Sequence, residues 1–203
     1  MQDKLATSRQ ALKEQVWSDI HVAALSLAMD GGLTSATIDR IAEKAGISRR
    51  TFFNYFPSKE DAILGIRDPT IAPDALDDFN ASTDDNLTRT VFLLARVFQD
   101  ARPPSASKMT RRDVVTKFPD LLGHFARSGE AVAALVEPVI RTLLTTPETT
   151  PSDSLDDTDE AQMLVSAAKA IIISAYVKNP SIAQSDPTSS LTAAIITFRK
   201  AIA

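Results

Sequence analysis

The residues best equipped for chemistry in this chain are hydrogen-bonding groups rather than nucleophiles. Arg49, Arg50 and Asn54 stand close together in one short segment. An arginine presents a planar fork of donors that fits O6 and N7 of guanine, and an asparagine can bridge N6 and N7 of adenine. Thr37, Ser48, Thr51, Tyr55 and Lys59 flank them and can donate to phosphate oxygens, Lys59 beside the free backbone N–H groups where a helix begins. Gathered on one surface, the first group would read base edges in double-stranded DNA and the second would fix the register. An Arg-Arg pair by itself is more simply a pair of solvated charges. The reading therefore depends on the elements that hold these side chains.

Those elements are helical. A first helix is expected from about Ser8 to Met29, with Val16, Ile20, Ala23, Ala24 and Leu27 on one stripe, ended by Gly31-Gly32. Thr37 to Ala45 places Ile38, Ile41, Ala42 and Ala45 on one face, and Gly46 can take the left-handed conformation that closes a helix. Ser48 can cap a third helix running through Phe56, and Ser58 with Asp61 resembles the capping box that opens a fourth. A short helix, a glycine-led turn and a second helix make a helix-turn-helix. Phe52 and Phe56, spaced i and i+4, should pin the second helix to Ile41, Ala42 and Ile47, leaving Arg49, Arg50 and Asn54 outward.

The remainder also reads as helices, for an all-α fold of about nine. A three-helix DNA-binding bundle at the N-terminus would be followed by a helical C-terminal domain. Pro69, Pro73 and the acidic polar run to Asp85 read as a link, so the functional boundary is placed at 1–68 and 69–203. Helices are expected over Asn86 to Asp100, about Ser105 to Lys117, and about Pro119 to Leu144 with Pro138 inside. Thr145 to Thr158, rich in Pro, Thr and Asp, reads as a mobile acidic loop. The last two helices, about Asp159 to Val177 and Asp186 to Ile202, carry Ala and Ile on more faces than one core contact needs, which points to a second buried surface such as a dimer seam.

Composition narrows the function class. Cysteine is absent, which removes disulfides and thiolate metal sites and makes the cell interior, the cytoplasm, the expected compartment. The N-terminus lacks the apolar core of a secretory leader, and the most apolar stretch, Met163 to Val177, is interrupted by Lys169, so no membrane span is expected. A net charge of −4 argues against nucleic acid as a partner until it is divided: nine of the 22 basic and nine of the 26 acidic residues lie in 1–68, so the acidic excess falls wholly after it. His21 and His124 lie far apart with no second imidazole at ligand spacing, and Asp120 four residues before His124 is a weak signal, so no metal, cofactor or catalytic constellation is expected. Phe92, Phe98, Met109, Phe118 and Phe125 could line an apolar ligand cavity between helices. Ordinary core packing is the alternative for each.

The segment Thr37 to Leu64 resembles the DNA-binding domain of the TetR family of transcriptional regulators (TetR/AcrR type). The resemblance rests on Thr37, Ile41-Ala42, Ala45-Gly46-Ile47-Ser48, Thr51-Phe52, Tyr55-Phe56 and Ser58-Lys59-Glu60. Phe53 departs from it, standing where the family commonly has a tyrosine, so one hydroxyl contact to the backbone is lost at a cost of about 0.5–1.5 kcal/mol. Thr110 to Val136 is also similar, more weakly, to a recurring type of C-terminal domain in that family. The resemblance implies a repressor that binds a palindromic operator as a homodimer through the last two helices and is released by a small-molecule effector. A ligand-dependent activator, or a helical dimer acting through protein partners, remains open at this point. For Tyr55 the alternative is a core aromatic with its hydroxyl at the rim.

Overall fold

The computed structural model describes residues 2–101, 111–144, 153–179 and 187–203. Among them every regular element is helical: α1 (Gln2–Gly31), α2 (Ile38–Lys44), α3 (Arg49–Phe53), α4 (Lys59–Leu64), α5 (Pro73–Ala81), α6 (Asn86–Asp100), α7 (Arg111–Lys117), α8 (Leu122–Leu144), α9 (Asp153–Lys178) and α10 (Thr188–Ile202), with a 3-10 turn at Pro119–Leu121. The chain forms two compact units, Met1–Asp68 with Ala101–Ser128, and Pro69–Asp100 with Gly129–Ala203.

In the first unit α1 packs on α2 and α4, and α2 on α3. Each short helix is fixed at both ends by its own sequence. Thr37 Oγ1 accepts from Arg40 N at 3.4 Å, Ser48 Oγ from Thr51 N at 3.0 Å and Ser58 Oγ from Asp61 N at 3.1 Å, so one free N–H per helix start is satisfied. At Ser58 the expected box is only half formed, because the Asp61 carboxylate accepts from the Ser58 hydroxyl at 2.5 Å. Gly46, at φ +67°, closes α2 with the paired bonds Gly46 N to Glu43 O (3.1 Å) and Ile47 N to Ala42 O (2.9 Å). Gly65 closes α4 in the same way at φ +59°, and a Cβ there would also meet the His21 ring at 2.9 Å. Arg111 of α7 donates through Nε to Leu64 O at 2.6 Å and through Nη2 to Gly65 O, supplying cationic donors to the last carbonyls of α4.

In the second unit α6 is central, packed on α5, α9 and α10, and α9 also lies along α10. Asp85 accepts from Thr88 N at 3.2 Å at the start of α6 and also binds Arg199 of α10. Burial raises the Asp85 pKa but is outweighed by the bonds from Arg199 and Thr88, which leave its carboxyl below the usual carboxylate value.

Three expectations are corrected here. Pro69 to Asp85 is not a plain link, since α5 occupies Pro73–Ala81. Pro73 opens it, Ala75 and Phe79 are buried at i and i+4 with Leu76 partly buried beside them, and Asp74, Asp77 and Asp78 face solvent, so the apolar signal is short and mixed with residues that also suit a linker. The expected acidic loop Thr145 to Thr158 gives way to α9 at Asp153; residues 145–152 lie outside those described, as do Pro103-Pro104, Met109 and Asp186. The third helix ends at Phe53 rather than Phe56, with Asn54 as its C-cap. One stretch among the described residues, Asp159–Lys178, is long and apolar enough by composition alone to cross a membrane. In the fold it is a packing helix, with Val165, Ala168, Ile171, Ile172 and Ala175 buried and Lys169 bonded to Glu130 at 2.5 Å.

His21 is a core histidine. It is 7% exposed, stacks 5.4 Å from Trp17, and its Nδ1 lies 2.8 Å from Ala62 O, a carbonyl that can only accept, so Nδ1 carries a proton. Burial lowers its pKa below the ordinary 6.5; the bond to Ala62 O opposes this in part, and Arg111 adds to the lowering. As pH falls below 6.5 the unfolded chain takes up the proton before the folded one, so stability is lost until folded His21 itself protonates. The urea midpoint should therefore drop between about pH 7.5 and about pH 5.5, and less steeply in His21→Gln, which keeps a donor but cannot titrate. Equal slopes in the two proteins would place the pH dependence elsewhere.

Candidate nucleic-acid interface

The geometry of the site follows from what α3 buries. Phe52 and Phe56 are both 0% exposed, sealed among Trp17, Ile20, Ile41 and Ile63. The Trp17 and Phe56 rings lie 5.3 Å apart and Phe52 and Phe56 6.1 Å apart. At about 100° per residue, burying Phe52 turns Arg49, Arg50, Phe53 and Asn54 to one outward face, and all four are exposed.

Their states differ. Among the described residues Arg50 and Asn54 make no side-chain bond, which leaves their donors for an external partner. Arg49 Nη1 binds Asp39 of α2 at 2.8 and 3.1 Å and lies 5.8 Å from the Phe53 ring centroid. With side chains 59% and 72% exposed, this is a solvent-screened pair of the kind worth about 0–1 kcal/mol, and a phosphate or base edge can displace it. Asp39, ten residues before Arg49 and on another helix, left no local trace in the sequence.

Of the phosphate candidates, the Thr37 and Ser48 oxygens act as caps, and the Ser48 and Thr51 hydroxyls are 2.9 Å apart. A hydroxyl that accepts an N-cap bond retains its hydrogen for a phosphate oxygen. Lys59 is tied back to Leu33 O at 2.8 Å, which uses one of three donors and holds the ammonium at the N-terminus of α4. Tyr55 packs its ring against the first core while its hydroxyl has no protein partner among the described residues. It combines both sequence readings, a wedged ring and an available donor.

The proposed ligand-lining residues are divided. Phe92 and Phe98 of α6 pack partly buried in the second unit, Phe118 and Phe125 partly buried in the first, and Met109 lies outside the described residues. Phe92 lines an open groove of about 370 Å³ with Phe79, Arg89 and Arg96. Arg96 is paired with Asp74 at 2.8 Å and Asp100 at 3.0 Å. His124 meets Asp61 of α4 at 3.5 Å rather than Asp120. No group of three or more His, Asp or Glu gathers among the described residues.

Comparison with known proteins converges on the same surface. Residues 20–64, which include the capped helices and the outward face of α3, match the family described as bacterial regulatory proteins, tetR family. The HTH-type transcriptional regulator EthR of Mycobacterium tuberculosis is 29% identical over 143 residues, 67% of this chain and 66% of that protein. EthR of Mycolicibacterium smegmatis is 54% identical over 35 residues, 17% of this chain and 16% of that protein. The match to the M. tuberculosis protein thus spans about two thirds of its length. With the capped helix-turn-helix and its outward arginines already in place, these matches identify residues 20–64 as a segment of the tetR family of bacterial regulatory proteins.

Proposed function

We propose that this chain is a ligand-responsive repressor that binds a palindromic operator as a homodimer and is released by a small apolar effector. The observation that carries the reading is the outward face of α3, where Arg50 and Asn54 are exposed and uncommitted on a helix fixed from behind by two buried phenylalanines. In this reading Arg49, Arg50 and Asn54 meet base edges, and Thr37, Ser48, Thr51, Tyr55 and Lys59 meet phosphates. Residues 1–68 act on DNA in the cytoplasm, and 69–203 serve effector binding and dimerisation.

Dimerisation through α9 and α10 has a physical motive. Met163, Ser166, Ala170, Ile173 and Val177 are exposed at alternating spacings of three and four, a stripe opposite to the one α9 buries. Ile196 and Ile202 of α10 are 49% and 69% exposed. A two-fold dimer closed on these faces would set two copies of α3 into successive major grooves about 34–36 Å apart, or a multiple of that. An effector that favours a different spacing weakens DNA binding, and DNA weakens effector binding by the same factor. Within the first unit, the Arg111 bonds to the end of α4 provide a mechanical route from α7 to the reading helices.

The test is selection of duplexes from a random pool followed by fluorescence anisotropy at several salt concentrations. Sequence-selective binding with a negative salt slope supports the reading; its absence sinks it. Arg50→Ala should relax discrimination at one base pair per half-site by about 1–3 kcal/mol. Lys59→Ala should weaken all sequences alike and shallow the salt slope by about one phosphate. Ile173→Glu should sediment as a monomer at concentrations where the parent is dimeric, and should lose operator affinity with α-helical content unchanged.

A further inference from the structure

Phe53 is the one large apolar side chain on the outward face of α3, and the reading above gives it no task. It is 48% exposed. About 100° of rotation separates neighbouring residues on a helix, which puts Arg49, Phe53, Arg50 and Asn54 in that order around the face, Phe53 and Arg50 in the middle and Arg49 and Asn54 at the margins. The ring is held on two sides. Phe52 meets it edge-on at 5.5 Å and 88°, and the Arg49 guanidinium lies over it at 5.8 Å, itself anchored by Asp39. An exposed aromatic held in one orientation by its neighbours loses little further freedom when it is covered, and covering it removes apolar area from water. It has no hydroxyl and cannot bond a phosphate. The apolar group that a major groove offers at base-edge depth is the thymine 5-methyl.

We infer that Phe53 is a specificity-determining residue of the DNA contact, its ring covering a thymine 5-methyl beside the base pair met by Arg50. The inference rests on the DNA-reading function proposed above and assigns one base of the operator to one side chain.

Replacing thymine by uracil removes the methyl and leaves base pairing intact, so it isolates this contact. In duplexes selected by the unmodified protein, each dT of one half-site would be replaced singly by dU and affinities measured for the parent, Phe53→Ala and Phe53→Leu. The parent should lose about fourfold at one position, the equivalent of one buried methyl. Phe53→Ala should bind thymine and uracil duplexes alike at that position, keep its melting temperature, and retain sensitivity to the base read by Arg50. Phe53→Leu should keep part of the methyl dependence. Selective binding by the parent with no uracil effect at any position overturns the Phe53 assignment and leaves the DNA-reading function standing. So does a full uracil effect that survives in Phe53→Ala, which would give the methyl to another residue. If the parent selects no sequence at all, the broader function fails and this inference with it.

Discussion

The burial of Phe52 and Phe56 beneath α3 is the constraint on which the rest depends. A helix as short as Arg49–Phe53 has no stability of its own, because nucleation costs more than so few bonds return. It persists because two fully buried rings tie it to α1 and α2, and because Ser48 and the Gly46 turn satisfy the polar groups at its start. Truncating either ring would cost about 3–5 kcal/mol, against a total stability of about 5–15 kcal/mol for a domain. The same burial sets the direction of every other side chain on the helix. Chemistry on the outer face is thus fixed by packing on the inner one.

Charge is deployed differently on the two faces. Arg111 gives its donors to the carbonyls that end α4, and Arg67 pairs with Glu14 while its guanidinium sits 4.5 Å over the Trp17 ring. These cations, partly shielded from water, hold the first unit together. Arg49 and Arg50 lie out in solvent, the first in a screened pair and the second, among the described residues, in none. Exposed cations of this kind contribute little to stability and are cheap to transfer to an anionic partner. Residues 1–68, with nine basic and nine acidic side chains, can therefore present a locally basic face without a net positive charge.

What was legible in the sequence was whatever short-range chemistry decides. Ser48 and Ser58 cap the helices they were expected to cap, Gly46 closes α2, and Asn86 to Asp100 is a helix with the expected bounds. Contacts between distant segments were not legible. Nothing near Lys59 marks Leu33 O, nothing near Arg49 marks Asp39, and the carboxylate beside His124 is Asp61 rather than Asp120 on its own strand of sequence. α5 escaped because its helical signal is short, Ala75, Leu76 and Phe79 amid three aspartates that also suit a linker. The start of α9 at Asp153 escaped for a related reason: Asp and Ser also favour turns and loops, and the apolar period begins only later in the helix. Phe53 was visible as a departure from a family pattern, but its place on the outward face becomes plain only once Phe52 is known to be buried.

α9 extends the same logic to assembly. One face of it is closed by Ala161, Val165, Ala168, Ile172 and Ala175 within the second unit, while Met163, Ile173 and Val177 on the opposite face stay in water. A helix apolar on both sides is stable in solution only when both are covered, and the alternating spacing of the outer stripe suits another helix as its cover. If that helix belongs to a second copy, the two-fold axis runs through the seam, and every feature of one reading face recurs on the other. One phenylalanine pair would then fix two reading faces at once. The requirement for an inverted repeat in the DNA follows from that symmetry rather than from any single contact.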